Sequence, residues 1–374
     1  MSDTRKTTKP NVPNLRFPGF SGEWERVTIG QICNIVGGGT PDTNIKEYWN
    51  GGIQWFTPSE VGKEKYVSDS IRTISIDGLK NSSAKLLPPY SILLSSRATV
   101  GECSINLREC CTNQGFQSAV PKVDITSTEF LYYRLLTHKR EFIKKACGST
   151  FLEISAKQIS KLNTFIPARS EQEKIADLLS LIDERISIQN KVIEKYESLI
   201  KALCQILITS PNGTVCHIGD VLKIGSGKDH KHLNIGTIPV FGTGGYMLSV
   251  NDWLYEGESV CIGRKGTIDN PFFVDGKFWT VDTLFYTYDF NGVLPKFCYY
   301  LFRTINWLQY NEASGVPSLS KSTIERIQIR IPCMDEQAKA VQVLDGVEME
   351  ITCRRKLLNL YKSIKQYLIS QLFI

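Results

Sequence analysis

Residues Ser170–Ile208 read SEQEKIADLLSLIDERISIQNKVIEKYESLIKALCQILI. Within them Ile175, Leu179, Ile182, Ile186, Gln189, Ile193, Tyr196, Ile200, Leu203 and Leu207 follow one another in alternating steps of four and three. That is a heptad seam, and Gln189 is its only strongly polar member. Ser170 followed by Glu173 has the form of a capping box, which predicts a helix starting at Ser170.

A second stretch of the same kind closes the chain: DEQAKAVQVLDGVEMEITCRRKLLNLYKSIKQYLISQLFI, Asp335–Ile374. Ala340, Leu344, Val347, Ile351, Arg354, Leu358, Tyr361, Leu368 and Leu372 keep the frame. Lys365 interrupts it, with Ile364 beside it as an apolar substitute, and Arg354 stands where Gln189 does. A seam needs a partner. A whole block of chain separates the two stretches and brings the chain back, so an antiparallel pair is expected. Each seam would form a rod roughly 50 Å long at 1.5 Å per residue. Gln189 and Arg354 either fix its register or are polar positions tolerated near solvent.

The resemblance extends upstream. Ile159 aligns with Ile324, Ile166-Pro167 with Ile331-Pro332, and Glu171-Gln172 with Glu336-Gln337, all at an offset of 165. Phe130, Tyr132-Tyr133 and Arg97 align with Phe297, Tyr299-Tyr300 and Arg264 at 167, and Ile29-Gly30 with Ile218-Gly219 at 189. The chain is a two-copy duplication in which the long stretches keep their length while the blocks before them drift. Two copies are too few for a solenoid. Each block reads as mixed structure. Short β-rich segments (YSILLSS, VCIGR, FFVDG) lie between turn residues. A helical segment follows, TEFLYYRLLTHKREFIKKA in one and LPKFCYYLFRTINWLQY in the other. A last strand, LNTFIP or IQIRIP, is stopped by proline.

The chain has 374 residues, enough for two or three domains. Hydrophobic content of 42% supports packed cores, and no apolar run is long enough for a membrane span. The opening MSDTRKTTKPNVPN is polar and reads as a flexible basic tail, which predicts a cytoplasmic protein. The eleven cysteines include no C-x-x-C, and His138, His217, His230 and His232 are not at zinc spacing, so the cysteines are expected in the core. Net charge is +6, carried by residues 1–169 with 22 basic and 15 acidic groups against 11 of each in 210–333.

Few motifs carry chemistry. Gly225-Ser226-Gly227-Lys228 fails as a phosphate loop, with Leu222 where the first glycine belongs and Asp229 where Ser or Thr is required. Gly37-Gly38-Gly39-Thr40 occupies the equivalent place in the first copy. Both are turns whose N–H groups could touch a phosphate. Leu87-Pro88-Pro89-Tyr90 resembles the Asn/Asp-Pro-Pro-Tyr motif of amino-group DNA methyltransferases, but leucine cannot accept from the target amine. Arg97 and Arg264 end apolar strands and are followed by Ala98-Thr99 and Lys265-Gly266, a setting suited to guanine or phosphate. A surface salt bridge is the competing reading. Lys228, His230, Lys231 and His232 form a basic run in the second copy. Trp49, Trp55, Trp253 and Trp279 are expected in cores rather than as stacking platforms. The candidate DNA-binding residues are therefore Gly39, Thr40, Arg97, Thr99, Lys228, His230, Lys231, Arg264 and Lys265. No catalytic constellation and no metal site is read in either copy.

Taken together, LRFPGFSGEWE, the GGGTP turn, ILLSSRATVG and the two Ile-Pro…Glu-Gln joins resemble the specificity subunit of type I restriction–modification systems over nearly the full length. The resemblance implies an α+β fold: two similar α/β target recognition domains, separated by two long antiparallel coiled-coil helices, with an internal two-fold repeat. The divisions are 1–15 tail, 16–169 first domain, 170–208 first spacer helix, 209–333 second domain and 334–374 second spacer helix. It further implies a non-catalytic subunit that reads one half of a split double-stranded DNA target with each domain. Two methyltransferase subunits would dock on the helices and motor-nuclease subunits would complete the complex. No cofactor is expected on this chain. S-adenosylmethionine, ATP and Mg belong to the partners, and no membrane is involved. A stand-alone DNA methyltransferase or nuclease, or a structural or carbohydrate-binding repeat protein, are the alternatives.

Overall fold

The computed structural model describes residues 11–147, 152–208 and 213–374. The chain forms two compact units, residues 1–188 with 358–374, and residues 189–357. Each contains one copy of the repeat and part of both long helices, Arg169–Ile208 and Met334–Leu372.

In the first unit five strands form a central sheet in the order Cys33–Gly37, Gln117–Pro121, Ile92–Leu94, Cys103–Asn106, Tyr66–Val67. All neighbours are antiparallel except the last pair. A second sheet places Trp49–Phe56 between Arg72–Ile74 and Cys110–Thr112. A ribbon of Glu25–Thr28 with Asn163–Ile166 closes the copy. The second unit repeats the plan. Its central sheet runs Lys223–Ser226, Leu284–Tyr288, Ser259–Gly263, Phe272–Val274, and its second sheet Gly245–Val250, Ile235–Gly242, Lys277–Thr280, Tyr255–Glu256. Thr214–His217 pairs with Gln328–Ile331 to close it.

The unbroken apolar runs have a plain cause: the middle strand is buried on both faces. Ile92 and Leu94 join the core beneath the helix Thr128–Thr137 with Phe130 and Tyr133, while Leu93 turns to Phe56, Leu87 and Phe116. Val260 and Ile262 repeat the first environment, and Cys261 the second, beside Phe278 and Leu284. Seven of the eleven cysteines are buried, and burial pushes the Cys33 and Cys110 thiols up to about 12. Cys147, Cys333 and Cys353 are exposed, against the expectation of core positions for all. The first helical segment is two helices, Thr128–Thr137 and Lys139–Lys145, broken at His138. Residues 1–10 of the expected tail lie outside the described residues. Asn11 and Leu15 are not loose: the Asn11 carbonyl accepts from the Trp24 N–H at 2.7 Å, and the Leu15 N–H donates to the Gln371 carbonyl at 2.9 Å.

Within each unit the two long helices run antiparallel. In the first, Ile175 and Leu179 share a core with Leu368, Leu372 and Phe373, and Asp183 meets Lys365 at 2.5 Å. In the second, Ile200, Cys204 and Ile208 share one with Ala340, Leu344 and Ile351, and Glu197 meets Arg355 at 2.6 Å. Every seam position is buried or half-buried: Ile182, Ile186, Gln189, Ile193, Tyr196 and Leu203 on one helix, Val347, Arg354, Leu358 and Tyr361 on the other. Three details differ from the sequence reading. Lys365 keeps its place on the seam by pairing with Asp183, while the supposed substitute Ile364 is exposed. Arg354 reaches Glu350 one turn back on its own helix, at 2.6 Å. Ser170 is not the cap: the helix starts at Arg169, the Ala168 carbonyl takes the first N–H groups, and Glu173 binds Arg169 at 2.8 Å.

The Ile-Pro…Glu-Gln joins now have a physical meaning. Gln172 is 1% exposed and Gln337 0%. The Gln172 side chain accepts from the Ser127 N–H at 3.1 Å and donates to the Ile125 and Pro167 carbonyls at 3.1 and 3.0 Å. Gln337 accepts from the Leu294 N–H at 2.8 Å and donates to the Gly292 and Pro332 carbonyls at 3.0 and 2.9 Å. One carboxamide thus ties the last strand, the loop before the helix of each copy and the long helix together. In the first unit Glu171 adds a two-pronged pair with Arg16, at 2.7 Å for each prong.

Removing either carboxamide leaves three backbone groups without this partner, two of them buried at Gln172 and one at Gln337, the rest part-buried. Gln172→Ala and Gln337→Ala are each expected to cost about 3 kcal/mol, at a cost of about 1–3 kcal/mol per stranded group softened by local relaxation. Urea unfolding of the single variants measures it. A loss below about 0.5 kcal/mol, the range of ordinary surface changes, would contradict this role.

Candidate nucleic-acid interface

The glycine turns leave the central sheet at the same point in both units. The Gly38 N–H donates to the Phe116 carbonyl at 3.4 Å and the Gly39 N–H to that of Thr112 at 2.8 Å. In the second unit the Gly227 N–H donates to Leu284 at 3.0 Å and the Lys228 N–H to Thr280 at 2.8 Å. The next carbonyl is held as well: Gly39 accepts from the Trp55 indole and Lys228 from the Trp279 indole, both at 2.9 Å. These N–H groups are consumed inside the protein, so the turns are not phosphate nests. Gly39 itself is buried. The glycines serve close packing instead: a Cβ on Gly38 would lie 2.0 Å from the Asn113 carbonyl oxygen, and one on Gly227 would lie 1.9 Å from that of Val281. Thr40 remains half-exposed and donates its hydroxyl to Gln114.

The arginine loops meet the same connecting segments. The Ser96 N–H donates to the Gly115 carbonyl, and the Arg264 and Lys265 N–H groups donate to that of Thr283. Thr112–Phe116 and Thr280–Leu284, numbers 112–116 and 280–284, are therefore the hubs that gather the candidate residues. Gly39 and Thr40 bind the first and Arg97 adjoins it through Ser96, while Thr99 is held by Ser95 instead; Lys228, Arg264 and Lys265 bind the second. The sequence reading passed over both hubs, although a threonine followed four residues later by a buried apolar residue recurs in them.

The backbone also corrects the alignment of the arginines. Ala98, φ 57°, and Gly266, φ 89°, are both left-handed, an offset of 168; Gly101, φ 87°, is a second such residue in the first loop. The Ile154 N–H donates to the Ser96 carbonyl, and its repeat mate Leu319 donates to that of Arg264. Arg97 therefore corresponds to Lys265, and Arg264 to Ser96. The two cations differ in company. Arg97 pairs with Glu153 at 2.9 Å, whereas Lys265 lies across a bridge from Ser318, the counterpart of Glu153. Arg264 is exposed, 5.9 Å from the Phe285 ring centroid and 3.4 Å from the Asp282 carbonyl. Thr99 is exposed beside Ser95, 3.2 Å between hydroxyls.

His230 and Lys231 lie in the loop that joins Lys223–Ser226 to Ile235–Gly242. Lys231 is exposed, and its N–H faces Asp229 at 3.4 Å; His230 is half-buried, its Nδ1 without a partner among the described residues. Among the described residues no hydrogen bond or ion pair joins them to the Thr280–Leu284 hub, although His232 packs edge-on to Trp279 at 5.7 Å. Of the four tryptophans singled out above, Trp49, Trp55 and Trp279 are buried, and Trp253 is 43% exposed beneath Lys277 at 3.7 Å.

This arrangement has known relatives. Residues 21–198 and 213–360 match the type I restriction modification DNA specificity domain, once in each copy. The chain belongs to that family. It is 37% identical over 180 residues to the type I restriction enzyme MjaIX specificity subunit of Methanocaldococcus jannaschii, covering 46% of this chain and 41% of that protein. It is 23% identical over 358 residues to the EcoprrI specificity subunit of Escherichia coli, covering 87% and 88%. The crystal structure of a type I system S subunit from M. genitalium shares the fold, with a TM-score of 0.66 at 18% identity over 97% of this chain and 99% of that one. A chain from a type I restriction–modification assembly matches at 0.61 and 13% identity, covering 96% and 99%. No helix among the described residues is long and apolar enough to cross a membrane.

If the glycines serve packing, Gly38→Ala and Gly227→Ala each destabilise their unit by about 3 kcal/mol, as expected for a forced overlap in a packed site. Gly315→Ala, which meets nothing within 4 Å, should be close to neutral. Thermal unfolding distinguishes the three. Neutral behaviour at Gly38 and Gly227 would return those turns to a ligand-binding role.

Proposed function

We propose that this chain is the DNA-reading subunit of a type I restriction–modification complex, with each unit reading one half of a two-part duplex target. The observation that carries the reading is the duplicated hub: the same connecting segment in each unit gathers a glycine turn and a cation-bearing loop, in a chain of the DNA specificity family. Cations at the hub supply salt-sensitive phosphate attraction, and side chains on the loops supply base choice. Thr40, Arg97, Thr99, Lys228, Arg264 and Lys265 are the proposed contacts, with His230 and Lys231 on a neighbouring loop; Gly39 holds the turn.

The long helices set the unread gap and take two methyltransferase subunits, with motor-nuclease subunits joining them. S-adenosylmethionine then belongs to the methyltransferase, and ATP with Mg to the motor. This chain performs no chemistry of its own, and its place is the cytoplasm. A self-sufficient methyltransferase would transfer methyl groups as the purified chain with S-adenosylmethionine alone; the proposal requires the partner subunit.

Arg264 and Lys265 have no acidic partner among the described residues, so they should serve DNA more than stability. With the methyltransferase partner present, Arg264→Ala/Lys265→Ala should lower the slope of log K against log salt by about 1.8, since each phosphate contact contributes about 0.9. Stability should stay within about 0.5 kcal/mol. Arg97→Ala should change the slope less, because Glu153 already neutralises part of its charge. An unchanged slope in the double variant would refute the phosphate role.

A further inference from the structure

Among the described residues, the central sheet of the second unit lacks a strand that the first unit has. In the first, Tyr66–Val67 lies parallel to Cys103–Asn106 at the sheet edge. The Ile105 N–H donates to the Lys65 carbonyl at 2.7 Å and the Leu107 N–H to that of Val67 at 2.9 Å. In the second, Phe272–Val274 is itself the edge. Phe273 pairs with Val260 as Ile105 pairs with Ile92. The Val260 N–H is turned inward to the Thr287 hydroxyl at 2.8 Å. Val260 and Phe273 are therefore a non-hydrogen-bonded pair, and the Phe273 N–H points to the open edge.

The cause is a shorter connection. Between Trp49–Phe56 and Arg72–Ile74 the first unit has residues 57–71, which include Tyr66–Val67; between Ile235–Gly242 and Gly245–Val250 the second has only Thr243 and Gly244. Next to Pro271, which leads into that edge strand, lies a cavity of about 460 Å³, lined also by Glu197, Asn270, Tyr299, Arg355 and the paired Arg303 and Glu348. In the first unit the matching place is occupied. The Gly62 N–H donates to the Ser104 hydroxyl at 3.0 Å, which donates to the Glu64 carbonyl at 2.6 Å. The Lys65 ammonium reaches Ser180 at 2.6 Å and lies 4.9 Å from the Tyr133 ring centroid. By the offsets given above, Glu102, Tyr132 and Asp183 of that site correspond to Asn270, Tyr299 and Glu348. Cys103–Asn106 are fully buried, whereas Phe272 and Phe273 stay half-exposed.

The vacant site also differs in charge. Glu129, which accepts from the Tyr66 hydroxyl at 3.4 Å, is replaced by Lys296. Lys296 lies 4.7 Å from the Phe273 ring centroid and is shared with Asp345 at 3.1 Å. With a lysine in place of Glu129, a carboxylate suits this position better than the Tyr66 hydroxyl of the first unit.

We propose that this edge and cavity form a docking slot for an extended, carboxylate-bearing segment of a partner protein, which adds as a parallel strand beside Phe272–Val274. The first unit shows the bound form, built in cis. The slot does not depend on the DNA-reading role.

The test uses the full chain and a fluorescein-labelled peptide, Val-Gly-Lys-Glu-Lys-Glu-Val, the first unit's residues 61–67 with Tyr66→Glu. Anisotropy should show saturable binding. Proline at the last peptide position, which removes a ladder N–H, should weaken it at least about tenfold. Replacing Thr243-Gly244 with the sequence of residues 57–71 should block binding by filling the slot. In the Lys296→Glu chain, the peptide with tyrosine restored should bind better than the acidic one. Absence of saturation at about 1 mM peptide, or equal binding of the proline peptide, would overturn the proposal.

Discussion

A single carboxamide in each unit holds the construction together. Gln172 and Gln337 each satisfy one backbone N–H and two backbone carbonyls from two separate pieces of chain, with almost no exposure to water. No other uncharged side chain of that reach offers two donors and an acceptor in one plane. The orientation of each mixed α/β block on its long helix rests on this group. Tyr133 on Asp183 and Tyr300 on Asp345, both at 2.6 Å, fasten the next turns of the helix.

Around that constraint the two copies have diverged where packing does not forbid it. The glycine turns, the hub segments and the left-handed residue after each cationic loop are retained because backbone hydrogen bonds and close approach leave no alternative. Charge is freer. Glu153 beside Arg97 has become Ser318 beside Lys265, and Glu129 has become Lys296. On the proposed reading, that freedom lets each unit choose its own bases on one common frame.

Much of this was legible in the sequence, for definite reasons. The seam could be read because heptad spacing survives as a pattern of residue types, and the duplication because offsets in the helical parts stay constant. Lys365 was misread because periodicity counts apolar residues, whereas a lysine paired with Asp183 fills a seam position equally well. The glycine turns were misjudged because the sequence does not say where an N–H group is spent; the acceptors at Thr112 and Phe116 come from distant chain. Arg97 was aligned with Arg264 by residue identity. The backbone, through Ala98 and Gly266, sets the register one position away. The hubs were missed because their side chains are unremarkable and their carbonyls act.

The central claim is that the paired helices act as a ruler between two readers. Its most direct measurement is genome-wide mapping of methylated sites made by a complex whose helices carry one added heptad each, inserted between residues 188 and 189 and between residues 357 and 358. Seven residues add about 10.5 Å of helix, or about three base pairs at 3.4 Å each. The unread gap should lengthen by about that amount, with both half-sites unchanged. Altered half-sites with the original gap would contradict the ruler.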